Sequence, residues 1–120
     1  MKITLLGSPL STQHLYRTAC IGKRPRLYMT KEGKEKKAQY QWEAKAQYKG
    51  EPLKGNIEME IILFFKDLRK RDIDNYNKIV LDALESFLYN DDRQIVQLTI
   101  QKKIDRLEPR IEVLVGKSSK

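Results

Sequence analysis

Nine residues near the middle of the chain alternate in polarity with the two-residue period of a β-strand. Across residues 57–65 the apolar side chains at every second position are Ile57, Met59, Ile61, Leu63 and Phe65. The opposite face begins with two glutamates and continues with Ile62 and Phe64, so one end of that face is also expected to be covered. This is the clearest strand of the sequence.

The clearest helix follows this strand, over residues 74–88. Apolar residues recur there at the three- and four-residue spacing of one helix face, namely Tyr76, Ile79, Val80, Ala83, Leu84, Phe87 and Leu88. Two further strands are predicted at residues 95–103 and 110–115, joined as a hairpin around residues 105–109.

The amino-terminal part contains a predicted strand at residues 2–7 and a second, short strand at residues 26–29. Between them, residues 8–23 read as a long irregular segment, and long segments of this kind are often functional or mobile. Residues 8–25 are therefore predicted to form a flexible basic loop, and residues 116–120 a frayed tail.

Residues 34–49 fit two periodicities. Alternate residues are apolar, as in a strand, yet Ala38-Trp42-Ala46 and Tyr40-Ala44-Tyr48 form stripes at helical spacing. Good helix formers dominate, and Thr30 is a suitable N-cap, so we predict a helix that ends before Gly50. The order β-β-α-β-α-β-β then describes an α+β fold, a mixed sheet with helices packed on it, in one domain over residues 1–120.

Composition narrows the class of protein. The 120 residues carry a formal net charge of +8, which favours a polyanionic partner. No apolar run approaches the roughly 18 residues of a membrane span, and the opening residues are a poor signal peptide, so an intracellular (cytoplasmic) protein is expected. Cys20 is the only cysteine and His14 the only histidine, which excludes an internal disulfide, a cysteine-rich zinc site and a multi-histidine metal site.

The positive charge is concentrated between residues 17 and 37. Eight basic residues there oppose Glu32 and Glu35, a local net charge of +6. They are Arg17, Lys23, Arg24, Arg26, Lys31, Lys34, Lys36 and Lys37. Alone, such a segment is a solvated surface as often as a binding surface, but a second basic cluster at residues 66–71, beside an acidic motif, favours nucleic acid.

The acidic motif consists of Asp72 and Asp74, between the strong strand and the strong helix. In extended backbone, residues i and i+2 point to the same side, so both carboxylates can hold one cation. A hard divalent cation and an incoming phosphate would explain carboxylates among arginines and lysines. Lys78, one helical turn beyond Asp74, could hold the scissile phosphate or stabilise its charge. A second acidic pair, Asp91-Asp92, follows the helix.

A purely structural role fits the same residues. Asp74 can cap the helix, and Lys78 can pair with Asp74 or Asp82 at four-residue spacing. An Asp-Asp pair is also common in a turn from helix to strand. The residues by themselves leave both interpretations open.

A longer pattern surrounds these residues. It reads FKDLRKRDIDN over residues 65–75, then Lys78, Asp82-Ala83-Leu84, and NDDRQI over residues 90–95. This pattern resembles the signature of the RusA family of Holliday-junction resolvases (crossover junction endodeoxyribonucleases). The stretch PLSTQHLYR at residues 9–17 is similar to the family's Pro-Pro-Ser-X-Asn-X-X-Tyr-Arg loop, with Leu10 and Gln13 in place of Pro and Asn. The resemblance covers essentially the whole chain.

The resemblance implies a magnesium-dependent, structure-specific endonuclease that resolves four-way DNA junctions as a homodimer, by paired symmetric nicks, in recombination and repair. By family pattern, Asp72, Asp74 and Asp92 are the catalytic and metal-binding carboxylates, with Asp91 the second choice, and Lys78 is the catalytic lysine. One or two Mg²⁺ ions per site, or Mn²⁺ instead, would orient the attacking water and stabilise the leaving oxygen, giving 5′-phosphate and 3′-hydroxyl ends. No small-molecule cofactor and no membrane partner are expected.

Several other residues have expected roles under this resemblance. The cations that guide phosphate to the metals are expected to be Arg69, Lys70 and Arg71. Those that hold the junction arms through their phosphates are Arg17, Lys23, Arg24 and Arg26.

For the aromatic residues and the histidine, two roles each stay open. Tyr16 and Tyr28 either stack on exposed bases or pack in the core or a hinge, with packing favoured. Trp42 and Phe87 are assigned to the core or a dimer interface, and His14 either contacts phosphate or has no role.

The predicted topology also has a consequence for the metal site. In a strand–helix–strand crossover, Asp72 lies near the helix start and Asp92 past its end, and fifteen helical residues span about 22 Å. One chain of this topology could not gather all three carboxylates. The hypothesis is that each site combines Asp72 and Asp74 of one chain with Asp92 of the other, across a two-fold axis.

Two other functions stay open at this point. One is a metal-dependent nuclease with a broader preference for branched DNA. The other is a non-catalytic, basic DNA-binding module whose acidic turns only cap a helix.

Overall fold

A computed structural model describes residues 1–22 and 24–119, without the side chains of residues 20 and 21. The described elements are β1 (Lys2–Leu6), α1 (Thr12–Leu15), β2 (Tyr16–Ile21), β3 (Arg24–Met29), α2 (Lys31–Gln47), β4 (Ile57–Phe65), α3 (Lys78–Leu84), β5 (Ile95–Ile104) and β6 (Arg110–Lys117). Short 3-10 turns lie at Ile73–Asn75 and Asp92–Gln94, before and after α3. The α+β class is confirmed.

Four strands form a mixed sheet in the order β1-β6-β4-β5. β5 runs parallel to β4, as expected for a crossover through α3, and β6 runs antiparallel to β4 and β1. The predicted hairpin between the last two strands is therefore wrong, because β5 and β6 lie on opposite sides of β4. The inner position suits β6, whose alternate residues Ile111, Val113 and Val115 are buried, whereas most of β5 is exposed.

The core forms on one face of this sheet. The five apolar residues predicted for one face of β4 are all buried, together with Ile3 and Leu5 of β1. Residues predicted for the helical stripe cover them, namely Tyr76, Ile79, Val80, Ala83, Leu84 and Leu88. On the opposite face of β4, Ile62 is also buried, and the Arg110 guanidinium lies 3.9 Å from the centre of the Phe64 ring. The predicted cover at that end is confirmed.

Helix α3 has seven residues, not the fifteen predicted. Asp72 is extended and Ile73–Asn75 forms a 3-10 turn, so the chain reaches helical geometry only at Lys78. After Leu84, Glu85 is extended and Ser86 has a φ of 80°, which ends the helix. The turn that follows still buries Leu88, so the apolar stripe was correct although the helix was not.

The predicted irregular segment at residues 8–23 contains α1 and β2. β2 pairs antiparallel with β3 as a separate two-stranded sheet, here called the arm. β3 is exposed on both faces except at Met29, which is half-buried. Since no apolar face recurs along the arm, its sequence lacks the alternation that identifies a strand.

Helix α2 confirms the helical interpretation of residues 34–49, although it begins earlier. Thr30 is its N-cap, and the Thr30 hydroxyl accepts a hydrogen bond from the Gly33 amide at 3.0 Å. Tyr40 and Ala44 are buried, but Trp42 is 74% exposed, so of its two predicted places, core or dimer interface, the core is wrong. None of the helices within the described ranges is long and apolar enough to cross a membrane.

The end of the chain is more ordered than predicted. β6 continues to Lys117, and the Ser118 amide donates a hydrogen bond to the Asn56 carbonyl at 2.9 Å. The frayed tail predicted at residues 116–120 is therefore wrong for residues 116–118, because pairing with β4 continues to Lys117.

The two outer strands of the four-stranded sheet, β1 and β5, differ in how far other residues cover them. Side chains of α2 bind the free backbone groups of β1. The Leu6 amide donates to Glu43 Oε2 at 2.7 Å, and the Thr4 amide and carbonyl bind the Gln47 side-chain amide at 2.8 and 2.7 Å. At the other edge, β5 exposes Val96, Leu98 and Ile104.

Candidate catalytic site

Asp72 and Asp74 lie in the segment between β4 and α3. Both are exposed, while Ile73 between them packs partly against the core. The extended backbone predicted for the pair holds at Asp72 but not at Asp74, which lies in the 3-10 turn. In the described part of the chain no hydrogen bond or ion pair engages either carboxylate, so their oxygens are available to an outside partner.

The backbone around this pair is held from two sides. The Arg71 guanidinium lies 4.3 Å from the centre of the Phe65 ring and bonds Asp67 Oδ1 at 2.8 Å. Lys102 Nζ bonds the Arg71 carbonyl at 3.0 Å. From the other side, the Thr12 hydroxyl donates to the Asn75 carbonyl at 2.8 Å. The exposed carboxylates therefore project from a fixed segment.

Lys78 is the first residue of α3, so it does not share a helical face with Asp74. Its ammonium lies 3.4 Å from Asp82 Oδ2 and 5.1 Å from the centre of the Tyr16 ring. The Tyr16 hydroxyl donates a hydrogen bond to the same Asp82 oxygen. Burial, and secondly this bond, raise the pKa of Tyr16 well above its ordinary value of 10.0. The structure thus selects Asp82 as the partner of Lys78.

Asp92 points inward, in contrast to Asp91. Asp92 Oδ1 accepts a hydrogen bond from the Tyr89 hydroxyl at 2.9 Å. Burial, and secondly this bond, raise the pKa of Tyr89. A hydrogen bond to Asp92, with burial and repulsion from the same carboxylate, also raises the pKa of Glu85. Asp91 instead caps the next turn, accepting the Arg93 amide at 2.8 Å.

One chain does not bring the three predicted ligands together. Among residues 1–22 and 24–119, no three Asp, Glu, His or Cys side chains converge so that they could hold a metal ion. The predicted reason needs correction, since α3 spans only about 10 Å. The separation comes from the sheet, because Asp72 follows the carboxyl end of β4 and Asp92 precedes the amino end of its parallel neighbour β5.

The donor set of the acidic pair fits a hard divalent cation. Asp72 and Asp74 offer carboxylate oxygens only, the ligands that Mg²⁺ and Mn²⁺ prefer, and neither has to leave a protein partner to bind one. Two carboxylates with phosphate oxygens and water suffice for such an ion.

The predicted DNA-binding cations lie in two places. Arg17, Arg24 and Arg26 are exposed on the arm, and Lys23 lies outside the described residues. Arg69 and Lys70 are exposed beside the acidic pair. Arg71 differs, because its side chain is 15% exposed and paired with Asp67. Its observed contacts are those of a residue that supports the loop.

Lys102 and Lys103 are cations that the sequence interpretation missed. They line a pocket of about 220 Å³ with Arg69, Arg71 and Asp67, at the end of β4 and β5. Lys102 pairs in register with Leu63, and Lys103 with Phe64. Parallel pairing is the only signal that would have placed them near the motif, and the predicted hairpin concealed it.

The remaining candidates have simpler surroundings. Tyr16 is 6% exposed, which excludes stacking on bases and confirms packing, whereas Tyr28 is 49% exposed. His14 is exposed, and its Nδ1 lies 2.8 Å from the Ser11 hydroxyl. Phe87 is half-buried against the core.

A family profile matches most of this chain, and two known proteins resemble parts of it. The sequence profile of a family described as "Endodeoxyribonuclease RusA" matches residues 7–116. "Uncharacterized protein YqaN" of Bacillus subtilis (strain 168) is 46% identical over 50 residues, which cover 42% of this chain and 34% of that protein. "Crossover junction endodeoxyribonuclease RusA" of Aquifex aeolicus (strain VF5) is 35% identical over 66 residues, 54% of this chain and 52% of that protein. The chain thus spans about a third and about half of the lengths of these two relatives.

Proposed function

Because the chain belongs to the RusA family of endodeoxyribonucleases, we propose that it resolves four-way DNA junctions by paired symmetric nicks, with a divalent metal ion. This activity would serve DNA recombination and repair inside the cell. The observation that carries the proposal is the acidic pair Asp72 and Asp74, exposed and unengaged on a segment that is itself held rigidly. A pair that only capped a helix would bind backbone amides instead.

The metal site is proposed to contain Asp72 and Asp74, with Asp92 as the third carboxylate. Mg²⁺, or Mn²⁺ in its place, would activate a water molecule and offset the negative charge that develops on the phosphate. Tyr89 orients the Asp92 carboxylate through its hydrogen bond, as outer partners of metal ligands commonly do. Asp91 is a weaker candidate because it caps a turn.

Lys78 is proposed to stabilise charge on the scissile phosphate. Its side chain is 41% exposed, so the ammonium can reach a substrate while it stays near Asp82. The DNA is proposed to be held by Arg17, Arg24 and Arg26 on the arm and by Arg69, Lys70, Lys102 and Lys103 near the acidic pair. Contacts of this kind bind phosphate and fix the position of a duplex without reading its sequence.

We propose that the active form is a homodimer in which each site combines two chains. The separation of Asp72 and Asp74 from Asp92 within one chain supports sharing across the two-fold axis. The exposed edge of β5, with Val96, Leu98 and Ile104, supports a second copy at that edge. A two-fold axis also suits a substrate whose opposed strands are cut symmetrically.

The function is tested by the substitution Asp72→Asn. Wild-type protein is expected to nick a synthetic four-way junction at paired symmetric positions only when Mg²⁺ or Mn²⁺ is present. Asp72→Asn should lower the cleavage rate by about 100-fold or more and leave junction binding equal or stronger, because a charge that repels phosphate is removed. Cleavage is followed on denaturing gels and binding by fluorescence anisotropy in Ca²⁺.

The matched control is Asp105→Asn, in the turn between β5 and β6, which should leave cleavage unchanged at a temperature where the protein is folded. Unchanged cleavage by Asp72→Asn would contradict the proposed mechanism. Equal cleavage of flaps and forks in the same assay would favour the broader branched-DNA nuclease. Junction binding without any cleavage by the wild type would favour the non-catalytic module.

A further inference from the structure

We infer that Tyr16 and Asp82 are positioning residues for Lys78, and that through them the DNA-binding arm is coupled to the catalytic site. The inference rests on the proposed endonuclease function, since it assigns Lys78 to the reaction. It concerns two residues that lie 66 positions apart in the chain and meet at one carboxylate oxygen.

Tyr16 and Lys78 share one carboxylate oxygen of Asp82. Asp82 Oδ2 receives the Tyr16 hydroxyl and lies 3.4 Å from Lys78 Nζ. Tyr16 is held by the core, with 6% of its surface exposed, so its hydroxyl cannot follow a moving carboxylate. The Asp82 side chain, 28% exposed, is therefore fixed from the protein side and presents its charge to the lysine.

The Lys78 ammonium also contacts the Tyr16 ring. Lys78 Nζ lies 5.1 Å from the centre of the Tyr16 ring, within the range of a cation–π interaction. A lysine side chain has four rotatable bonds and loses much rotamer freedom when it is held in one place. A carboxylate together with an aromatic face limits the positions of the ammonium before substrate arrives, which is the requirement for a group that acts on a developing charge.

Tyr16 stands where the arm joins the rest of the fold. It is the first residue of β2, so the arm begins at the residue that holds Asp82. The neighbouring Arg17 is one of the exposed arm cations, and Thr12, one helical turn earlier, bonds the Asn75 carbonyl beside Asp74. The segment from Thr12 to Arg17 thus contacts Asn75, next to Asp74, through Thr12 and contacts Lys78 through Tyr16. DNA that binds the arm and shifts it would therefore affect both the segment that carries Asp74 and the position of Lys78.

A simple packing role for Tyr16 and Asp82 would give a different outcome, and two variants separate the possibilities. Tyr16→Phe keeps the ring and removes the hydroxyl, and Asp82→Asn keeps the shape and removes the charge. We expect the maximal cleavage rate on a four-way junction to fall about 5- to 20-fold in Tyr16→Phe and about 10- to 100-fold in Asp82→Asn. Junction affinity should stay within about twofold of wild type in both.

Tyr48→Phe is the matched control. It also removes a tyrosine hydroxyl that donates to the protein, here to the Glu51 carbonyl beyond the end of α2. Its thermal unfolding should resemble that of Tyr16→Phe while its cleavage rate stays at the wild-type value. An equal loss of cleavage in Tyr48→Phe would mean that stability alone explains the effect, and the inference would be wrong.

The decisive measurement is a double-mutant cycle with Lys78→Ala. If Tyr16 and Asp82 act through the lysine, adding Tyr16→Phe or Asp82→Asn to Lys78→Ala should change the residual cleavage rate by less than about twofold. A structural effect would add fully to the effect of Lys78→Ala. Full additivity overturns the inference. Asp82→Asn serves in the cycle if Tyr16→Phe does not fold.

A second readout does not depend on activity. Reductive ¹³C-methylation of the lysines gives each ammonium an NMR signal, and that of Lys78 is assigned by its absence in Lys78→Ala. We expect the Lys78 signal to move in Asp82→Asn and Tyr16→Phe but not in Tyr48→Phe, since the neighbouring charge and ring are disturbed only in the first two. A wild-type protein that cleaves no junction refutes the proposed function, whereas an unmoved Lys78 signal refutes this inference alone.

Discussion

Arg110 illustrates how much of this structure depends on single side chains. Its guanidinium lies over the Phe64 ring and bonds Asp105 Oδ2 and Glu112 Oε2, each at 2.8 Å. Asp105 also accepts the amides of Leu107 and Glu108, at 3.1 and 3.0 Å. The turn that carries the chain from β5 across β4 to β6 is thus organised by one carboxylate.

The acid sensitivity of this turn can be predicted from Asp105. The Glu108 amide first, and the Arg110 guanidinium second, lower the pKa of Asp105 below its ordinary value of 3.8. A carboxylate with a lower pKa in the folded state stabilises the protein above its unfolded pKa, and this contribution is lost as the pH falls through the folded value. Asp105→Asn should therefore lower the urea unfolding midpoint at neutral pH, with a difference that shrinks below pH 3.8.

Glu108→Gln is the control for this comparison, because it removes a negative charge from the same turn while keeping the backbone amide that binds Asp105. Its urea unfolding midpoint should stay close to that of the wild type across the pH range. A deficit in Asp105→Asn that is equally large at neutral and strongly acidic pH would contradict the assignment.

Among the secondary-structure elements, α1 and α2 approach each other closely at Gly33. A Cβ atom built on Gly33, in the first turn of α2, would lie 2.2 Å from the Leu15 carbonyl oxygen. The Thr30 backbone amide donates a hydrogen bond to the same Leu15 carbonyl at 3.0 Å. Leu15 directly precedes Tyr16, so this contact also sets where the arm begins.

Gly33→Ala should therefore force α1 away from α2 and destabilise the fold by about 1–3 kcal/mol, the usual cost of overpacking. Urea unfolding gives the free energy directly. Gly116→Ala is the control, since a Cβ atom there meets nothing within 4 Å. This substitution should leave the free energy of unfolding almost unchanged. Equal stability of the two variants would mean that α1 moves aside freely.

Sequence patterns identified the elements whose burial is one-sided. β4 and the stripe around α3 were predicted because their apolar residues recur with a single period. α2 carries two stripes of similar composition, and nothing in the sequence shows that Tyr40 faces the core while Trp42 faces outward. The candidate site at Asp72, Asp74, Lys78 and Asp92 was predicted from resemblance and stays a prediction, whereas the bond from Tyr16 to Asp82 joins distant positions that no local pattern connects.

For the whole molecule, the placement of the three carboxylates leads to a prediction about shared sites. If each site takes Asp72 and Asp74 from one chain and Asp92 from the other, then a mixed dimer of Asp72→Asn and Asp92→Asn chains has one site with both changes and one site with neither. Two inactive variants, mixed and allowed to exchange subunits, should then recover about a quarter of wild-type nicking, because half of the dimers regain one of two sites. Nicking of a junction by the mixture measures this.

A mixture of Asp72→Asn with Asp74→Asn is the matched control. Every site in that mixture carries a change whichever way the chains combine, so it should stay inactive. Failure of the first mixture to recover, with subunit exchange verified by mass spectrometry, would place each complete site within one chain and refute sharing.

The two outer strands of the four-stranded sheet differ in how well their free backbone groups are protected, and this would limit how copies add to the sheet. Within the described residues, Glu43 and Gln47 bond backbone groups of Thr4 and Leu6 in β1, which leaves β5 as the less protected outer strand of the four-stranded sheet. In a pair joined through β5, the outer strands of the combined four-stranded sheets would be the two copies of β1, whose backbone groups at Thr4 and Leu6 are already bonded. Two α2 side chains would then oppose further strand addition at these sheets, and with it the growth of a pair into a fibre.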